Sequence, residues 1–264
     1  MAVSPGGGQG GSGGSGQRGG AADFRLLAQA PLGWRLTALF VGLAFYGLSS
    51  GLMVMSNLGP VPWDVLHQGI SHHVPLSIGT IIVIMSLIVL LAWIPLKQKP
   101  GLGTFANAIL VGVWLDFFVW LIGYPEQMWV RILFMISGIV LNAIATVLYI
   151  IPNFGPGPRD GLMTGLTRVT GKPVWMVRSV IEVLVLVTGV LLGGLLWIGT
   201  FAYAFLIGPL TNFFLRVAQR IFGPSDPLVS DETCGWVGAA PALMPLVQIH
   251  AVMRICALLR RISA

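Results

Sequence analysis

Two stretches decide how this chain folds: "SNLGPVPWD" at residues 56–64 and "PNFGPGPRD" at 152–160, which share Asn, Gly, both Pro and Asp at the same spacing. Each follows a long apolar run. Proline lacks the amide hydrogen a helix needs and biases the residue before it toward extended backbone, so each stretch ends one helix and opens another. The shift between them is 153 − 57 = 96 residues. The same shift carries "LGTFANAILVGVWLDFF" (102–118) onto "IGTFAYAFLIGPLTNFF" (198–214), and Arg35 onto Arg131. One offset held over that length marks an internal duplication. Between these anchors, Pro75 and Pro173 match only with a two-residue gap, so the middle of the repeat is looser.

Composition sets the solvent. The 264 residues are 55% hydrophobic and 9% charged, with a mean hydropathy of +0.86, which excludes an ordinary soluble domain. Apolar windows of membrane-crossing length fall at about 35–55, 77–96, 103–123, 131–151, 174–196 and 199–218. Residues 1–30, rich in Gly and Ser, bring little apolar surface to offset the entropy of ordering and read as a disordered tail. No short apolar core with a small-residue cleavage site precedes the first run, which is therefore expected to stay in the membrane. Residues 31–222 read as the transmembrane domain, with repeat 1 at about 35–123 and repeat 2 at about 131–220. Residues 223–264 read as a cytoplasmic tail in which "LVQIHAVMRICALLRRI" has the pattern of a surface-lying amphipathic helix.

Three spans per repeat is an odd number, so the second copy enters the bilayer from the opposite side. The expected fold is an all-α membrane protein of about six transmembrane helices, arranged as two inverted three-helix repeats with Gly-Pro-x-Pro helix breaks. Lys and Arg resist translocation and accumulate in cytoplasmic loops. With the N-terminus inside, the cytoplasmic segments hold Arg18 and Arg25, Lys97 and Lys99, Arg159, Arg168 and Lys172, then Arg216 and Arg220, while the external ones offer little beyond Arg131. The first break continues as "WDVLHQGISHHV" with no Lys or Arg, and its copy as "RDGLMTGLTRVTGK". Both termini are expected in the cytoplasm.

The motifs "LGPVPWDVLHQGI", "FGPGPRDGLMTGLTRVTG" and "IGTFAYAFLIGPL", with the Arg and Glu of "VRSVIEVLVLVTGVLLGG", resemble the YczE-like membrane proteins, related to the YitT group of bacterial integral membrane proteins. The resemblance covers roughly 35–220. It implies this helical fold and a bacterial inner-membrane location, and little chemistry.

Each break admits two readings. It is either a surface loop whose Asp64 or Asp160 caps a short amphipathic helix, or a segment that re-enters the bilayer as a half helix with exposed backbone at the repeat interface. Charges inside spans are informative because an ionised group at the bilayer centre costs at least ~2.5 kcal/mol unless paired or hydrated. Arg178 and Glu182, at i and i+4, form either a structural ion pair or part of a charged cavity lining. Asp116 maps onto Asn212, which keeps hydrogen bonding without the charge. The candidate substrate or ion pathway is therefore Asn57, Asp64, Asp116, Asn153, Arg159, Asp160, Arg178, Glu182 and Asn212. Asn142 reads as a bond between helices. His67, His72 and His73 read as interfacial residues, and no metal site is expected. Trp34, Trp93, Trp120, Tyr124, Trp129 and Trp197 lie near span ends and read as interfacial anchors.

Phosphate-cradling loops, nucleophile elbows and zinc spacings are absent, so no enzyme activity and no cofactor are expected. Cys234 and Cys256 fall in the tail and suggest no disulfide. The basic pI of about 9.9 suits anionic lipid, and no nucleic acid partner is expected. The expected partners are the lipid bilayer and a small-molecule substrate, with a homo-oligomer allowed. Two function classes remain: a small secondary transporter or exporter of an anionic or zwitterionic molecule, and a non-transporting membrane scaffold or modulator of a partner enzyme or biosynthetic system.

Overall fold

The structure is a computed structural model that describes residues 31–222. The Gly/Ser-rich segment and the C-terminal tail, with its cysteines and amphipathic pattern, lie outside the described residues. Within them the chain is all helical: α1 (Leu32–Ser56), α2 (Pro62–Ser71), α3 (Ile78–Ala92), α4 (Leu102–Ile122), α5 (Met128–Ile150), α6 (Pro158–Thr170), α7 (Val174–Leu191) and α8 (Ile198–Phe222). Five of these, α1, α4, α5, α7 and α8, are long and apolar enough to cross a membrane. Their outer faces carry large apolar side chains such as Phe40, Val113, Leu121, Ile136, Leu184 and Phe213, which suits lipid as the surrounding solvent.

The expected second span is shorter than its apolar window. α3 has 15 residues, about 22 Å at 1.5 Å per residue, against a hydrocarbon core of about 30 Å. Pro95 is one reason, since it cannot continue the helix, and Lys97 follows with φ 52°. Trp93 is another. The indole sits 2% exposed and its Nε1 donates to the Pro158 carbonyl at 3.0 Å, so the residue expected to anchor at the interface instead holds the second break from inside. Only Gly161 leaves room for that ring, because a Cβ there would collide with it. Trp34, Trp120, Tyr124, Trp129 and Trp197 are exposed, as expected of anchors.

α1 packs most extensively on α5 and next on α4, while α3 lies on α4, α2 on α7, and α5 on α8. Small residues let these backbones approach. A Cβ on Gly42 would stand 2.9 Å from the Tyr149 amide nitrogen, one on Gly138 2.9 Å from Met53 Cγ, and one on Gly189 2.6 Å from the Leu66 amide nitrogen. In lipid, where apolar side chains gain nothing by leaving the solvent, such close packing is what joins helices.

The two breaks are built alike. Asn57 and Asn153 take left-handed backbone at φ 51° and 54°, Gly59 and Gly155 follow at φ 109° and 113°, and Pro62 and Pro158 open α2 and α6. Asn tolerates the left-handed region better than most residues, and the φ of the two glycines is almost unique to Gly. Each break leaves carbonyls without helical partners, and each set is taken up by the other half of the chain. The Gly199 amide donates to Leu58 O at 2.6 Å and Thr200 Oγ1 to Pro60 O at 2.7 Å. The Gly103 amide donates to Phe154 O at 3.0 Å and Thr104 Oγ1 to Pro156 O at 2.7 Å. Every one of these residues has its counterpart 96 positions away, so the contacts are reciprocal. The Gly-Thr of "LGTF" and "IGTF" is thus the clamp on the opposite break.

Thr104 and Thr200 are 0% and 2% exposed, and removing either hydroxyl leaves a carbonyl unpartnered, buried at Pro60 and half-buried at Pro156. Thr104→Val and Thr200→Val are each expected to cost about 1–3 kcal/mol, Thr104 also losing the bond its hydroxyl accepts from the Gly101 amide at 3.1 Å. Unfolding of the purified variants in mild detergent measures this, and Thr→Ser at the same positions is expected to recover most of the loss.

Candidate functional site

Both short helices start in the interior, and their first turns face each other. Trp63 and Arg159 occupy equivalent positions, 96 apart, and they touch: the Arg159 guanidinium carbon lies 4.9 Å above the Trp63 ring centroid. Such a cation over an indole is an attractive pair, strongest where water is excluded. Arg159 Nη2 also stands 3.8 Å from Asp64 Oδ1. On its other side Asp64 Oδ1 meets His67 Nδ1 at 3.1 Å, one turn along α2. Asp64 and His67 are each 1% exposed. Asp64 Oδ2 and the Trp63 indole Nε1 are buried with no hydrogen-bond partner.

The equivalent carboxylate has different company. Asp160 Oδ2 accepts from the Tyr149 hydroxyl at 2.5 Å, and the Tyr149 ring stacks edge-on against Tyr46 with centroids 6.0 Å apart. Tyr46 lies within electrostatic reach of Arg159, Asp160, Asp64 and Arg178 together. Tyr203 from α8 donates to Asn142 Oδ1 of α5 at 3.0 Å and lies within reach of Arg178, Glu182 and Arg159. Asn142 is 1% exposed and its Nδ2 is without a partner. Arg178 Nε donates to Glu182 Oε1 at 2.9 Å along α7. Three of the chain's tyrosines therefore collect the charges of α2, α6 and α7 into one polar core.

The sequence candidates divide accordingly. Asp64, Arg159 and Asp160 belong to this core, and the Arg178–Glu182 pair lies at its edge with side chains 40% and 16% exposed. Asn57 and Asn153 are exposed, and their left-handed backbone accounts for their presence in both breaks. Asp116 caps the start of α3, accepting from Ser77 Oγ at 2.5 Å and from the Gly79 amide at 2.9 Å. Asn212, half-buried, keeps its Oδ1 unpartnered. Asn142 makes the expected bond between helices. His72 and His73 are exposed, with His73 Nε2 3.1 Å from Leu192 O. Nor do Asp64 and Asp160 act as side-chain N-caps: Val61 and Gly157 hold those positions, and both carboxylates point to side-chain partners in the core.

Sequence reasoning missed the tyrosines and set His67 aside. A signal existed, since Tyr46, Tyr149 and Tyr203 lie within apolar windows rather than in loops, where a hydroxyl must find an internal partner. His67 had one too: it follows Asp64 by three residues, on the same helix face. No group of three His, Cys, Asp or Glu able to hold a metal occurs among the described residues.

Comparison with known proteins gives the family. Residues 33–216 match the model of DUF6198, a family of unknown function. A Haemophilus influenzae protein termed "Uncharacterized protein" is 37% identical over 186 residues, 70% of this chain and 85% of the relative. The "Uncharacterized membrane protein YczE" of Bacillus subtilis is 32% identical over 183 residues, 69% and 85% of the two chains. The "Uncharacterized protein YyaS" of the same organism is 26% identical over 186 residues, 69% and 92%. No solved structure matches. The matched region takes in both breaks, both Gly-Thr clamps and every charged group of the core, and with it this chain belongs to the DUF6198 family, among YczE-like membrane proteins.

Proposed function

We propose that this protein is a small secondary transporter or exporter of an anionic or zwitterionic molecule, built from two inverted three-helix halves in a bacterial cytoplasmic membrane with both termini inside. The observation that carries this reading is the contact between Trp63 and Arg159. If residues 96 apart are related by a two-fold axis in the membrane plane, two equivalent residues that touch lie on that axis, and the axis runs at mid-depth. The breaks then begin at the bilayer centre. α2, with 10 residues, is about 15 Å long, half of a hydrocarbon core of about 30 Å, as a half helix reaching one face requires. The short α3 fits as its return partner.

Transporters place substrate sites where discontinuous helices meet near the midplane, because amide groups and dipoles at the half-helix N-termini supply fixed positive potential there. Here two such ends converge, and Arg159 and Arg178 add charge beside three tyrosine hydroxyls. A carboxylate or phosphate group is the complementary ligand chemistry, and Asp64 and Asp160 suit an accompanying amine. The full pairing of Arg178 with Glu182 favours the second reading, a dry scaffold that modulates a partner system, since a matched ion pair needs no ligand.

A ligand-stabilisation screen of the purified protein separates the two. Carboxylates, amino acids and phosphorylated metabolites are the test set, and a ligand at 100 times its Kd adds about 2.7 kcal/mol to stability. At least one anion or zwitterion is expected to raise the melting temperature in wild type and not in Arg159→Gln. Stabilisation by cations alone would refute the substrate class, and none by any small molecule would favour the scaffold.

Topology is tested by labelling. In a chain with Cys234 and Cys256 replaced by Ser, a single Cys at exposed position 72 is expected to react with impermeant reagent from outside, and one at exposed position 168 only from inside. Labelling from one side would exclude the inverted arrangement. For the α7 pair, Arg178→Leu or Glu182→Leu alone is expected to lower folded yield more than the double change, because either single change strands a charge in an apolar span. Additive losses would show that the two do not depend on each other.

A further inference from the structure

We propose that Asp64 is a proton-binding site, and that its protonation releases Arg159 to take the anionic group of a ligand. This deepens the transport reading and rests on it for its purpose, because it names the coupling ion as the proton and assigns the ion to one of two equivalent carboxylates.

The two carboxylates differ in the donors that reach them. Asp160 has a strong donor, the Tyr149 hydroxyl, on Oδ2. Asp64 is 1% exposed, has His67 Nδ1 on Oδ1, and leaves Oδ2 with no donor at all. A buried ionised carboxylate oxygen without a hydrogen bond is costly, and a proton on that oxygen removes the charge that makes it so. The duplication underlines the difference, since the positions equivalent to Tyr149 and His67 are Met53 and Met163. Each half therefore arms its aspartate from a different side.

The groups that face Asp64 are few. His67 comes from α2 itself, Arg159 from α6 at 3.8 Å, and Tyr46 of α1 lies within its electrostatic reach. α3, packed on α2, carries no titratable residue. α7, also packed on α2, carries Arg178 and Glu182, which engage each other. Arg159 is thus the one cation set against this carboxylate among the described residues.

The step balances simply. A proton from solvent adds to Asp64 Oδ2, no covalent bond between heavy atoms changes, and the Asp64 and Arg159 charges no longer cancel. His67 Nδ1 keeps its place on Oδ1. Arg159 then presents an uncompensated positive charge over the Trp63 ring, while the unpartnered Trp63 Nε1 offers a donor nearby. An anion and a proton would enter the core together, so that no net charge crosses a low-dielectric centre.

Infrared difference spectroscopy of the purified protein, titrated between about pH 4 and 9, tests this without any substrate. A carbonyl band of a protonated buried carboxyl is expected in wild type and in Asp160→Asn, and is expected to be lost in Asp64→Asn. Asp64→Glu, which keeps an acid if the amide variant does not fold, is expected to keep the band at a displaced frequency. A band that survives Asp64→Asn, or no band in wild type across that range, overturns the proposal. Failure of the ligand screen with this band present would refute transport while leaving the proton site standing.

Discussion

Everything in this structure depends on how a membrane protein can afford two interruptions of its helices. The carbonyls released at a break face other helices rather than helical partners of their own, and a buried one left bare costs about 1–3 kcal/mol. The solution is a reciprocal clamp: Gly199 and Thr200 take Leu58 and Pro60, and Gly103 and Thr104 take Phe154 and Pro156. Neither half closes its own break. That makes each half of the chain incomplete alone, and it adds four directional bonds to the close packing of α1 on α5 in fixing the relative placement of the halves.

Closing the breaks from outside has a consequence for what lies between them. The helices that follow, α2 and α6, are free to start in the interior and to aim their first turns at one another. On the proposed two-fold axis a residue meets its own copy. An Arg there in both copies would repel, whereas Trp63 opposite Arg159 gives a cation over an indole at 4.9 Å. The exchange of Trp for Arg, the largest chemical difference between two otherwise matched motifs, is thereby explained by packing: a duplicated chain, unlike a homodimer, can make the two partners on its axis complementary.

Legibility in the sequence followed range. The breaks, the 96-residue offset, the apolar windows of five long helices and the Arg178–Glu182 pair were readable because each is local or periodic. The purpose of the Gly-Thr dipeptide was not, although the repeat showed it twice, because its partner lies about 50 or 140 residues away. Trp93 misled for a related reason. Position near a span end is the usual mark of an anchor, and only the absence of a Cβ at Gly161 reveals where the ring goes. Asn57 and Asn153 looked polar and therefore functional, yet their left-handed backbone is what the motif preserves. In each case side-chain chemistry was visible and the tertiary partner was not.

The symmetry that holds the fold together also shows where it has been given up. Backbone at the two breaks agrees within a few degrees at Asn57 and Asn153 and at Gly59 and Gly155, and the clamps match atom for atom. Side chains one turn further on do not match. Asp64 faces His67 and Arg159 in a site that leaves one oxygen bare, whereas Asp160 receives a tyrosine hydroxyl. A purely structural role for these acids would favour the same satisfied arrangement in both halves, because the surrounding backbone is the same and an unfilled buried acceptor lowers stability. The four clamp bonds and the backbone of the breaks are kept in both halves, whereas the partners of the two carboxylates differ, so that the backbone fixes where the charges meet and the side chains decide how each is satisfied.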